Sequence, residues 1–183
     1  MNTPGPSSPD PALPGWAAQG YAAWMRRALS QASLVAPAED GPAAASDEPA
    51  GPVDVPVGAV VIDALGEVIG QGHNIREAGD DPTGHAEIVA LRGAGERLHT
   101  WRLSGCTLVV TLEPCAMCAG AALLGRVDRI VFGAFDAKAG ACGSVWDLPR
   151  DRRSLHWAEV VAGVLESDCQ AQLSEFFAAR RLR

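Results

Sequence analysis

Three side chains in this sequence have the chemistry and spacing to hold one metal ion: His85, then Cys115 and Cys118 in the run Cys-Ala-Met-Cys. Two cysteines three positions apart on the first turn of a helix can turn both sulfurs to one ion. The positive end of the helix dipole also favours the thiolate, which is the form that binds metal. His85 approaches from the start of a second helix. Three protein ligands leave the fourth tetrahedral position of a zinc ion to water, as in catalytic rather than structural sites. Zinc brings the pKa of such a water towards neutrality. Glu87, two residues beyond His85, falls beside the ion without ligating it, where a carboxylate can carry protons to and from the reacting atoms.

Each part of this pattern has a plainer reading. His-x-Glu alone is weak, and Cys-x-x-Cys also serves as a structural zinc knuckle or a redox pair. A structural site needs a fourth ligand, for which Cys106 and Cys142 are available. Cys106 adjoins an apolar strand and reads as a small buried hydrophobe. The joint pattern therefore favours catalytic zinc, one ion per chain. His73, His99 and His156 read as surface or loop histidines. Glu113 reads as the close of a strand, and Trp101, Trp146 and Trp157 as packing residues.

The elements that must position these groups follow from periodicity. Ala17, Tyr21, Trp24, Met25, Ala28, Leu29 and Ala32 recur at helical spacing. Residues 55–63 are apolar and β-branched, hence a strand, and after a turn at 64–66 residues 67–72 form its hairpin partner. A polar loop leads to a helix over 85–98, with Thr83 as its expected cap. Strands at 107–112 and 129–135 flank an Ala-rich helix over 115–124, and a Gly-rich loop runs on to Ser144. A short strand is predicted at 159–164. Ser167 and Gln170 match a capping box that opens a last helix carrying Leu173, Phe176 and Phe177 on one face. Alternating elements of this kind predict an α/β domain of three layers, α/β/α, around a mixed sheet of about five strands.

At 183 residues the chain fits one domain. We read 1–14, with five prolines, as a disordered tail and 15–183 as a single domain, interrupted at 36–52 by a flexible insertion rich in Pro, Ala and Gly. No apolar run suits a membrane span, and the first residues lack a basic segment followed by an apolar one, so the expected location is the cytoplasm. The net charge of −7 argues mildly against a nucleic-acid partner. Its distribution softens that: residues 119–183 hold nine basic and eight acidic side chains, a net +1, whereas 1–52 and 53–118 carry −3 and −5. Arg180, Arg181 and Arg183 in that last third are either a solvated helix end or a grip for phosphates.

His-x-Glu followed by Pro-Cys-x-x-Cys is the signature of zinc deaminases acting on nucleobases. The chain resembles the bacterial tRNA-specific adenosine deaminases of the cytidine-deaminase-like superfamily from about Trp16 to its end, apart from 36–52. The carrying segments are Val-Pro-Val-Gly-Ala-Val at 55–60, Asp-Pro-Thr-Gly-His-Ala-Glu at 81–87 and Thr-Leu-Glu-Pro-Cys-Ala-Met-Cys-Ala-Gly at 111–120. A fourth, Gly-Ala-Phe-Asp-Ala-Lys-Ala-Gly-Ala-Cys-Gly-Ser at 133–144, is the more specific to the tRNA branch. The resemblance implies a homodimer that acts on the wobble adenosine of a tRNA anticodon stem-loop and makes inosine. It implies that Asn74 contacts the target base and that Asp136 lies near the sugar and phosphate of the flipped nucleotide. Read without it, Asn74 is a turn residue at a hairpin end and Asp136 a loop acid. A free base, nucleoside or nucleotide is the alternative substrate for the same zinc chemistry, and a structural-zinc module that binds RNA is a third reading. Two positions depart from relatives: Phe135, where some have a basic residue, offers a stacking face in place of a phosphate contact, and Gly84 stands where Ala is common.

Residues 1–14 and 36–52 have no composition suited to core packing. Deleting either segment is expected to leave the melting temperature and the catalytic rate within error of the full chain, measured by circular dichroism and by a turnover assay.

Overall fold

The computed structural model describes residues 15–35 and 53–181, so the tail at 1–14, the insertion at 36–52 and residues 182–183 lie outside the described residues. Among the described residues, nine helices and strands run in the order α1 (Gly15–Ala32), β1 (Gly58–Ile62), β2 (Val68–His73), α2 (Ala86–Leu98), β3 (Thr107–Leu112), α3 (Ala116–Leu124), β4 (Arg129–Ala134), β5 (Glu159–Val161) and α4 (Glu166–Arg181), with a 3-10 turn at Leu148–Arg150.

The sheet has the order β2-β1-β3-β4-β5. β1 is antiparallel to both β2 and β3, whereas β3, β4 and β5 are parallel, so the sheet is mixed as the alternation of elements predicts. Side chains on a strand alternate between faces, and here both faces are covered. Ala59, Val61, Leu108, Val110, Ile130 and Phe132 point to one core, closed by Ala86, Ala90 and Ala94 of α2 and Ala119 and Ala122 of α3. Val60, Ile62, Val109 and Val131 point to the other, closed by Tyr21, Met25 and Ala28 of α1 and Cys169 of α4. Small alanines on α2 and α3 bring those helices close to the sheet, and it is their N-terminal ends that carry the metal-ligand candidates.

Several local expectations are corrected. β1 starts at Gly58 rather than Val55, because Pro56 has no N–H to offer a partner and the Val57 amide turns back to the Val55 carbonyl at 2.8 Å. β5 ends at Val161; Gly163 at φ 75° and Leu165 at φ 50° bend the chain away from the sheet. Thr83 does not cap α2: its hydroxyl is engaged with Asp81, and His85 takes the N-cap position without a side-chain cap bond. α4 begins one residue before Ser167, and Gln170 donates to the Glu166 carboxylate at 2.6 Å, so the capping box does not form. Trp101, Trp146 and Trp157 stand 60–67% exposed instead of packing inside. All three lie in connecting segments beyond the sheet, where no face is left to cover them.

Gly70 on β2 illustrates how close the helix layer sits. A Cβ there would overlap the Ala90 carbonyl oxygen and come within 2.7 Å of the Ala94 amide nitrogen, both backbone atoms of α2. Gly70→Val is expected to destabilise the fold by roughly 1–3 kcal/mol, the usual penalty of overpacking, read as a drop of several degrees in melting temperature.

Candidate functional site

Both metal-ligand helices begin at a ligand. His85 is the N-cap of α2 (φ −76°, ψ 150°) and Cys115 the N-cap of α3 (φ −71°, ψ 173°), while Cys118 lies in the first turn of α3. The segment Asp-Pro-Thr-Gly delivers His85 as a folded turn. Asp81 accepts the Thr83 amide and hydroxyl, both at 2.8 Å, and the Gly84 amide returns to the Asp81 carbonyl at 2.9 Å. A methyl at position 84 would stand 3.0 Å from Ile75 and 3.1 Å from Asp81, so glycine leaves this turn without crowding.

The two helix starts meet. His85 Nδ1 lies 3.7 Å from Cys115 Sγ and 3.5 Å from Cys118 Sγ, and the three ligand atoms all fall within 4.8 Å of one another. Zinc bonds of the usual lengths at a tetrahedral angle place nitrogen and sulfur about 3.6 Å apart. The donor set therefore fits a zinc ion in both chemistry and spacing. Among the described residues neither Cys106 nor Cys142 joins the group, so the fourth protein ligand of a structural site is missing there. Both are buried, and burial pushes the Cys142 thiol up to about 12 and the Cys106 thiol also upward.

Electrostatics favour a thiolate before any ion arrives. The Cys118 thiol donates to Cys115 and His85 adds a second hydrogen bond, which together bring Cys115 down to about 3 against the opposing effect of burial. The same contact with Cys115 raises His85 and, with burial, raises Cys118. Two helix N-termini aimed at one point add positive potential that suits the anionic sulfur. Glu87, in the first turn of α2, is only 4% exposed, and burial pushes its carboxyl above the ordinary range. A carboxyl shifted upward takes up a proton more readily than a free one, which suits a proton carrier.

Glu113 does far more than close β3. Its buried carboxylate accepts the amides of Asp136 (3.1 Å), Cys142 (3.0 Å) and Ser144 (3.0 Å), and the Ser144 hydroxyl as well. Burial raises its pKa, and these four hydrogen bonds outweigh burial and leave it below the ordinary value. They fold the Gly-rich loop 136–144 onto the cysteine turn, helped by the Ala141 amide on the Pro114 carbonyl at 2.8 Å. Gly140 is required at the contact, because a Cβ there would run into the Glu113 carboxylate. Sequence reasoning missed this role; the one available signal was an acid directly before Pro-Cys, with a loop rich in Gly and Ala further along the chain.

A cavity of about 570 Å³ opens on His85, Glu87 and Cys115 and is bordered by both Asn74 and Asp136. The structure thus brings all six sequence-predicted residues to one place, with Cys118 buried just behind. Asn74 also donates to the Val55 carbonyl at 3.3 Å, and Asp136 accepts the Lys138 and Ala139 amides at 2.9 and 3.2 Å, so each has a local structural task besides. Leu173 and Phe177 of α4 close a further side. Arg180, considered above as a phosphate grip, lies over the Phe176 ring at 4.6 Å and donates to the Val53 carbonyl at 3.1 Å. It anchors the end of α4 within the chain, while the side chain of Arg181 and all of Arg183 lie outside the described residues.

With fold and geometry in hand, residues 23–134 match the family described as the cytidine and deoxycytidylate deaminase zinc-binding region, and the chain belongs to that family. Within it, the chain is similar to a tRNA-specific adenosine deaminase of Bacillus subtilis (strain 168), 52% identical over 118 residues that span 64% of this chain and 72% of the relative. It is similar to a structure from a study of A-to-I editing by tRNA:A34 deaminases at the wobble position of transfer RNA, with a TM-score of 0.68 and 36% identity over 82% of this chain and 98% of the other. A guanine deaminase from Nitrosomonas europaea is more distant in sequence, 26% identical with a TM-score of 0.64 over 93% of this chain and 97% of the other.

The geometry separates the three clustered ligands from the remaining cysteines. His85→Ala and Cys115→Ser are each expected to purify with little zinc, whereas Cys142→Ser keeps it, as read by elemental analysis. Full zinc content in both ligand variants would remove the assignment.

Proposed function

We propose that this chain is a zinc-dependent hydrolase that deaminates adenosine to inosine at the wobble position of a tRNA anticodon stem-loop. The observation that carries the reading is the meeting of His85, Cys115 and Cys118 beside buried Glu87, at a cavity large enough for a nucleoside. The similarity to the Bacillus subtilis enzyme supports the choice of substrate.

In this reading His85, Cys115 and Cys118 hold one zinc ion per chain. Zinc, when bound, supplies a Lewis acid that makes water nucleophilic near neutral pH. Glu87 takes a proton from the attacking water and hands it to the ring nitrogen beside C6 as the new C–O bond forms. It then takes the second proton from the added oxygen and passes it to the exocyclic nitrogen as the C6–N bond breaks and the C6 carbonyl forms, so adenosine and water give inosine and ammonia. Burial raises the proton affinity of the Glu87 carboxyl, which suits it to hold each proton between taking it up and delivering it. Asn74 contacts the base, and Asp136 lies near the sugar and phosphate. The target base must leave its stack to reach Glu87, and this is least unfavourable in an already single-stranded loop. Phe135, 49% exposed and held edge-on by Phe132 at 5.1 Å between ring centres, offers a fixed face for stacking a neighbouring base.

The wider reading is a single domain over 15–183, working as a homodimer in the cytoplasm, where its tRNA substrate is found. Leu124, Trp146 and Leu155 are large apolar side chains left exposed on this chain and so available to a partner copy. No helix among the described residues is long and apolar enough to cross a membrane. The second reading is a deaminase of a free base, favoured by the likeness to guanine deaminase but at lower sequence identity than the tRNA-branch structure.

Incubation with anticodon stem-loops carrying a wobble adenosine is expected to yield inosine, read by sequencing, with free adenosine, guanine and cytosine left unchanged. Glu87→Ala should keep its zinc and its fold and lose on the order of 10²–10⁴-fold in turnover. Efficient conversion of a free base with no reaction on any stem-loop would replace the tRNA reading by the second one.

A further inference from the structure

One wall of the cavity is formed by two short segments side by side, residues 53–57 and 74–77. What joins them is a buried acid. Asp54 is 4% exposed and forms no ion pair among the described residues. Its Oδ1 accepts the Glu77 amide at 2.9 Å and its Oδ2 the Ala78 amide at 3.0 Å. The bonds that follow along the chain belong to Asn74: its side-chain amide donates to the Val55 carbonyl at 3.3 Å and its backbone amide to the Val57 carbonyl at 3.1 Å.

A carboxylate without a counter-charge is costly to bury unless its oxygens are hydrogen-bonded. Hydrogen bonds from amides to an anion are also about twice as strong as neutral ones. Of side chains this short, Asp alone offers a separate acceptor to each of two successive amides; Asn would turn an NH2 group towards one of them. Towards the other side the loop is tied by backbone, the Ile75 amide to the Gly84 carbonyl and the Gly79 amide to the Ile75 carbonyl, both at 2.8 Å, while the Arg76 amide reaches the Asn74 side-chain oxygen only at 3.4 Å. Asp54 is the side chain that ties the 77–78 end of this loop to the 53–57 wall, and so helps to set where the Asn74 side chain sits at the cavity.

We infer that Asp54 is a positioning residue of the deamination site, whose carboxylate holds the 74–78 loop so that Asn74 is presented to the base. This rests on the proposed role of Asn74 as a base contact. Asp54 itself touches no reacting atom, and it is separated in sequence from both the zinc ligands and Glu87.

A double-mutant cycle tests the inference: wild type, Asp54→Asn, Asn74→Ala and the pair, with kcat and KM measured on an anticodon stem-loop alongside zinc content and melting temperature. Asn74→Ala is expected to lower kcat/KM about tenfold or more, and Asp54→Asn to do the same through displacement of the loop, with zinc content unchanged. The pair should be no worse than Asn74→Ala alone, because both act through one contact. Losses that multiply, or wild-type kcat and KM in a less stable Asp54→Asn protein, overturn the inference and leave Asn74's role standing. Wild-type kinetics for Asn74→Ala overturn the base-contact reading itself and the inference with it. Where Asp54→Asn does not fold, Asp54→Ser carries the same cycle, keeping one acceptor in a smaller volume.

Discussion

A zinc ion accepts ligand atoms only when they lie within about 4 Å of one another, and His85 and Cys115 are 30 residues apart in the chain. Closing that distance is the constraint on which the rest of the structure depends. It is met by putting each ligand at the N-terminus of a helix and stacking both helices on one face of the sheet. α2 follows the β1–β2 hairpin and α3 follows β3, which pairs with β1 in the same sheet. The register of β1 and β3 thus fixes how far apart the two helix starts fall. Small residues on the inner faces, Ala86, Ala90 and Ala94 on one helix and Ala119 and Ala122 on the other, let both seat closely enough for the ends to converge.

The site is built by buried carboxylates of different kinds. Glu87 has burial as its largest influence and is pushed towards the protonated form. Glu113 has four donors and is kept ionised, so it serves as the anchor of a loop and not as a proton carrier. Asp54 does for the 74–78 loop what Glu113 does for the 136–144 loop. In each case an anion under the surface gathers backbone amides of a segment with no regular hydrogen-bonding partner, and so defines one side of the cavity. Loops held this way can present Asn74 and Asp136 at fixed places without belonging to a helix or strand.

Much of this was legible beforehand, for identifiable reasons. The central strands show as near-continuous apolar runs because both faces of the sheet are buried, and α2 shows in its helical spacing because its inner face must be apolar. The metal group shows because His-x-Glu and Cys-x-x-Cys need only local helix geometry to make sense. The misreadings share a cause. Thr83 and Ser167 have the side chains of caps, but Asp81 engages Thr83 first and α4 starts a residue early. Trp101, Trp146 and Trp157 are apolar enough for a core, yet the sheet faces were already filled.

What the sequence determined by itself, then, was the chemistry: a histidine and two thiols able to take zinc, a carboxylate beside them, and alternating elements that imply a layered α/β domain. Only the tertiary structure decided which acid has which task. Glu87, Glu113 and Asp54 are identical in ionisable group, and nothing in their sequence neighbours says how many amides will point at each. That number depends on which loops fold across them, through contacts 23–31 residues distant in the chain for Asp54 and Glu113. Arg180 shows the same division: its charge and helix-end position were plain from the start, but its engagement with the Val53 carbonyl, 127 residues away, existed only once the chain had folded.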